Sequence, residues 1–123
     1  MQCHHAGWKL TLADSTANNG LHGRLILGAP VIPPADMAQR LPHVVVELFK
    51  HGQLKDKGIG ANVLDSPLLA LGRLVDLLNE QPLAAGEIVT TGVITDAHPV
   101  RPGERWSTQI AGLPLAGLEI EFA

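Results

Sequence analysis

The sequence holds a single cysteine, Cys3, among 123 residues. A lone thiol cannot close an internal disulfide, which suits a reducing compartment. An excess of either charge is missing too: nine Lys and Arg against twelve Asp and Glu leave a net charge of −3 and a pI near 6.0. Such a balance carries no electrostatic footprint for nucleic acid or an anionic membrane. Long apolar runs are absent as well. The stretch PLLALGRLVDLL is broken by Gly72, Arg73 and Asp76, short of the ~18 residues a membrane span needs. The opening MQCHHAGWK shows no basic segment followed by an apolar one, so no secretory leader is expected. With 46% hydrophobic and 17% charged residues, the composition is that of a globular protein rather than a disordered one. These exclusions leave a single cytoplasmic domain over residues 1–123 as the expectation.

Several chemical signatures are missing as well. GIGAN at 58–62 is followed by no Lys-Ser or Lys-Thr pair, so it is not a phosphate loop. No serine sits in a recognisable nucleophile elbow, and no repeat of ~20–50 residues suggests a solenoid. Cys3, His4 and His5 offer thiol and imidazole, but adjacent side chains at a terminus rarely share one metal ion. Glu119 and Glu121, two apart on an expected strand, project from one face, as a carboxylate pair for a metal requires. Leu118, Ile120 and Phe122 take the other face, so the plainer reading of the acids is the wet side of an edge strand.

What is present is dense punctuation, with 13 Gly and 9 Pro. WKLTLAD (8–14) alternates, with Trp8, Leu10 and Leu12 on one side, and predicts a strand. Leu25 to Leu27 predict a short strand that runs into a proline-stiffened loop. Val44 to Lys50 and Gln53 to Lys57 predict a hairpin about His51-Gly52, the glycine supplying a positive φ. Ser66 before Pro67 is an N-cap with proline at the first helical position. Behind it Leu68, Leu71, Leu74, Val75 and Leu78 recur at helical spacing, with Arg73, Asp76 and Asn79 for solvent and Pro82 as a stop. GEIVTTG, PGERWSTQI and LAGLEIEFA predict strands. The class is α+β, with one main helix at about 67–79.

GANVLDSPLLALGRLVDLLNEQPLAAGEIVTTG, followed by HPVRPGERWSTQIAGLPLAGLEIEF, resembles the C-terminal region of the 2-keto-4-pentenoate hydratase / 4-oxalocrotonate decarboxylase family, within the fumarylacetoacetate hydrolase-like superfamily. The matching elements are a Gly-rich lead-in, an Asp-x-Pro-Leu helix start, Pro-Leu-x-x-Gly-[DE]-Ile-Val, Thr-Gly, Pro-Gly-[DE] and a closing alternating strand. Upstream, GWKLTLADSTANNG resembles the family's GWKxxxADxxADNASSG stretch. The resemblance runs from about Gly7 to Phe122. It implies a partial mixed β-roll, and metal-dependent hydration or decarboxylation of small 2-oxo acids in aromatic meta-cleavage.

The resemblance also implies a site. The strand ending in Thr-Gly would bring Thr90, Thr91 and Gly92 to the mouth of the substrate cleft, where a hydroxyl and backbone donors reach a carboxylate or keto oxygen. Asn19 keeps the family's Asn. Asn18 replaces an Asp, Gly20 an Ala, and Leu21 and His22 stand where the family has Ser. An imidazole at His22 brings acid/base chemistry near neutral pH. The family's Mg²⁺ or Mn²⁺ is held by a Glu-x-Glu pair and a third acid that the resembling region does not contain. No metal ligand is therefore expected here, since a hard cation needs such oxygens. Three readings stay open: a truncated enzyme missing its N-terminal half, a non-catalytic binding or oligomerisation module of the same fold, and a different activity built on His22 and Thr91. Unpaired strand edges of a partial roll favour a homo-oligomer.

Overall fold

The computed structural model describes residue 3, residues 6–79 and residues 81–123. Its centre is an antiparallel four-stranded sheet in the order β2-β1-β3-β4. The strands are β1 (Val45–Lys50), β2 (Gln53–Ile59), β3 (Arg105–Ala111) and β4 (Glu119–Glu121). Three α-helices flank it in the chain: α1 (Leu12–Ala17), α2 (Met37–Arg40) and the longest, α3 (Pro67–Leu78). Among the described residues, no helix is long and apolar enough to cross a membrane.

The β1–β2 hairpin forms where the alternation and the turn residues put it. His51 and Gly52 both take left-handed φ values, 49° and 78°, which is the two-residue turn whose twist matches the strands. The pairing is not uniform. Leu48 faces Asp56 but Phe49 faces Leu54, so Lys55 is an extra residue on β2. Such a bulge bends the strand and re-aims its side chains. β3 pairs β1 without a break from Val45↔Ala111 to Lys50↔Trp106, and β4 closes the order through Trp106↔Ile120.

The main helix starts as expected: the Ser66 hydroxyl accepts from the Leu68 N–H at 3.3 Å, and Pro67 is its first residue. It ends before Pro82, because Asn79 turns to a φ of 50°. Residues 8–14 are not a strand. Thr11 caps α1 in a reciprocal box, its side chain accepting from the Asp14 N–H while Asp14 accepts from the Thr11 N–H. Local capping wins over alternation because Leu12 is 85% exposed, leaving no buried face for a strand to serve. Leu25 to Leu27 and GEIVTTG also carry no ladder, although both are apolar enough to predict one.

Packing is thin. Among the described residues the buried apolar side chains are Leu21, Val44, Val63 and Trp106, and none is wholly sealed from solvent. Leu25, Leu27, Ile32, Leu69 and Leu77 stand exposed. The accessible surface is 9308 Å², against about 6,300 Å² for a compact monomer of 13.0 kDa. An excess of about 3,000 Å² lies within the range of large, permanent interfaces. Exposed leucines and isoleucines in such numbers are normally covered by a partner surface.

Candidate functional site

Strand alternation divides the sheet into two chemically different faces. One bears Glu47, Lys57, Arg105, Ser107, Gln109, Glu119 and Glu121; the other bears Leu48, Lys50, Asp56, Trp106, Thr108, Ile110 and Ile120. On the first, Arg105 lies between two acids, 3.6 Å from Glu119 and 3.2 Å from Glu121. These residues, with His51 and Ser107, border an open cleft of about 550 Å³. The two glutamates do share a face on an edge strand, and there they neutralise one arginine.

The second face carries a connected polar network around Trp106. The indole N–H donates to Glu104 Oε2 at 2.9 Å, and Lys50 Nζ donates to Glu104 Oε1 at 2.6 Å. The same ammonium lies 5.5 Å from the indole ring centroid, within cation–π range. The His98 ring stacks on Trp106 with centroids 5.9 Å apart and planes 26° apart. Beyond it, His98 Nε2 lies 2.8 Å from Asp56 Oδ2. Glu104 is buried with a donor on each oxygen, which is what burial of a carboxylate demands.

Both acids are held ionised. The Lys50 ammonium, and after it the Trp106 N–H, push Glu104 down to about 2 from an ordinary 4.5. The His98 hydrogen bond, followed by the Lys57 N–H, lowers Asp56. A depressed carboxyl contributes stability that is fully present above its unfolded value and lost as pH falls through its folded value. For Glu104 that window runs from 4.5 down to about 2. Urea midpoints measured across this window should fall steadily in the native chain and flatten in E104Q. An equally steep fall in E104Q would assign the acid sensitivity to other groups.

The residues singled out from sequence lie elsewhere. Asn19, Gly20 and Leu21 adopt φ values of 51°, 62° and 60° in succession, a strained left-handed turn for the two non-glycine residues. The turn buries Leu21 and leaves Asn19 and His22 exposed. Thr90 is exposed and Thr91 half-buried, while Gly92, at φ 135°, packs where a Cβ would come within 3.2 Å of Val63 Cγ1. His22 and Thr91 share no hydrogen bond. The Trp106 network escaped the sequence reading: its partners sit 42 and 54 positions apart, and no local motif signals them. Cys3 is half-buried, whereas His4 and His5 lie outside the described residues. Among the described residues, no three His, Cys, Asp or Glu side chains converge on a point that would hold a metal ion.

No family model matches the chain. Individual proteins do. It is 34% identical over 111 residues to 4-oxalocrotonate decarboxylase of Pseudomonas sp. (strain CF600), covering 89% of this chain and 41% of that protein. To 2-keto-4-pentenoate hydratase 2 of Dechloromonas aromatica (strain RCB) it is 32% identical over 108 residues, 86% of this chain and 40% of the relative. The solved 4-oxalocrotonate decarboxylase of Pseudomonas putida G7, complexed with magnesium and adipate, superposes with a TM-score of 0.82. That match has 30% identity over 97% of this chain and 44% of that one. The chain thus spans about two-fifths of the length of the curated relatives it matches. Over most of its length, it is homologous to part of the 2-keto-4-pentenoate hydratase / 4-oxalocrotonate decarboxylase family.

Proposed function

We propose that this chain is the C-terminal, substrate-facing portion of a 2-keto-4-pentenoate hydratase-like fold acting on small 2-oxo acids, with the metal-binding portion supplied by a further stretch of polypeptide. The observation that carries this reading is the superposition over 97% of the chain on a protein solved with magnesium and the dicarboxylate adipate. The excess exposed surface supports it, because a further polypeptide portion would cover the apolar side chains left open here. In this reading the Thr91 hydroxyl and Gly92 N–H donate to a substrate carboxylate or keto oxygen, a small turn letting both approach. Asn19 orients the substrate through its side-chain amide. His22 moves a proton to or from the reacting carbon, a role suited to imidazole near neutral pH. The residues present do not fit Mg²⁺ or Mn²⁺: a hard cation is held by clustered carboxylates even where water completes its shell, and no three metal-ligating side chains converge among the described residues.

Calorimetry and a chimera test the reading together. The 123-residue chain should bind Mg²⁺ no tighter than roughly millimolar and should not hydrate 2-hydroxypenta-2,4-dienoate. Placed in the Pseudomonas decarboxylase in place of the matched segment, it should restore metal binding and turnover. There H22A should lower kcat by about a hundredfold, the smaller end of general acid–base effects. A folded, metal-loaded chimera without turnover would replace the proposal with a non-catalytic binding or oligomerisation module of the same fold. Turnover by the isolated chain that survives chelation would replace it with a metal-independent activity.

A further inference from the structure

The segment from 88 to 100 carries Thr90, Thr91 and Gly92, lies outside the helices and strands with a bend at 94–95, and among the described residues makes no main-chain hydrogen bond to other backbone. A segment outside the ladder can be held in place by side chains instead. Side chains of β2 and the turn after it provide one. Asp56 Oδ2 accepts from the Asp96 N–H at 3.0 Å and meets His98 Nε2 at 2.8 Å. Its other oxygen is held by the Lys57 N–H at 2.7 Å, which fixes the carboxylate. Asn62 Nδ2 donates to the Ile94 carbonyl at 2.9 Å. Between these two anchors Gly58 lets the Ile94 backbone lie directly on β2, where any Cβ would overlap the Ile94 carbonyl. The bulge at Lys55 immediately precedes Asp56, and a bulge of this kind re-aims the side chains that follow it.

The geometry points to Asp56, Asn62 and His98 as positioning residues that moor the 90–92 segment on β2 and so set where its hydroxyl and N–H donors stand. The mooring itself is independent of any activity; its use in substrate binding rests on the reading of that segment as substrate-facing. Donors held in place before binding cost less ordering when substrate arrives. The anchored positions Ile94, Asp96 and His98 lie two to six residues beyond Gly92, so loss of the anchors loosens the 90–92 segment without unpairing β1 from β3.

Backbone ¹⁵N relaxation on the full chain tests the mooring. In the native protein order parameters across 90–96 should resemble those of β1, about 0.85, and should fall below about 0.6 in D56A and in N62A. D56N keeps an oxygen for the Asp96 N–H and should recover much of the order. Unchanged order at 90–96 in either folded alanine variant overturns the inference, and so does a uniform loss across the whole sheet. If D56A fails to fold, N62A alone decides. Pyruvate, as a minimal 2-oxo acid probe, should shift the Thr91 and Gly92 resonances of the native chain, with about tenfold weaker binding in N62A. Silence of the native chain towards pyruvate overturns the substrate-facing reading of the segment, while the relaxation data still decide the mooring.

Discussion

Substituting Trp106 by alanine is expected to lower the unfolding free energy by about 3–5 kcal/mol, the range for truncating a buried tryptophan. Few residues share the load: among the described residues the buried apolar side chains are Leu21, Val44, Val63 and this indole, which is 5% exposed. The ring also joins three polar partners, since it donates to Glu104, stacks on His98 and lies beneath Lys50. A domain whose total stability is roughly 5–15 kcal/mol loses a large fraction of it in such a change. W106F keeps an aromatic ring for the stack but gives up part of the indole's volume and leaves Glu104 one donor short, so its midpoint should fall between the two. Urea unfolding followed by far-UV circular dichroism measures all three. A W106A midpoint within about 1 kcal/mol of the native value would mean that the sheet draws its stability from elsewhere.

The second large effect comes from adding one methyl group. Gly60 is buried with its N–H on the Val44 carbonyl at 2.8 Å. A Cβ there would overlap the Leu41 carbonyl and come within 2.9 Å of Val44 Cγ1. Both the Leu41 carbonyl and the Val44 side chain just before β1 would have to move, so G60A should cost at least about 3 kcal/mol, the upper end for overpacking. Gly72, in the middle of α3, is the matched control, because nothing lies within 4 Å of its added Cβ. Alanine is the better helix former, and G72A should stabilise by about 0.5–1 kcal/mol. Opposite signs in the two melting curves support the close approach at Gly60; a neutral G60A rejects it.

The elements that could be read from sequence are those whose cause is local. His51-Gly52 between alternating strands, and Ser66-Pro67 before a leucine stripe, each contain their own reason for folding. Residues 8–14 were misleading because two local signals competed, and the Thr11–Asp14 box outweighed the alternation of Trp8, Leu10 and Leu12. Leu25 to Leu27 and GEIVTTG have strand composition without a strand neighbour among the described residues. Strand propensity reports fitness for a pleated, half-buried surface, so it has nothing to act on when that surface is missing. The candidate site divides in the same way. Asn19, His22 and Thr90–Gly92 enter through resemblance alone, whereas Asp56 and His98 meet only because the chain folds back across 42 positions.

The alternation of Glu119 and Glu121 on β4 has a consequence for solubility. β4 is an outer strand of the sheet, and an outer strand is a template on which another chain can grow. Two copies pairing there head to tail would bring four carboxylates against one another, with only the two Arg105 side chains to offset them. Like charges directly opposite destabilise a strand pair. The acids would therefore oppose edge-to-edge growth along β4.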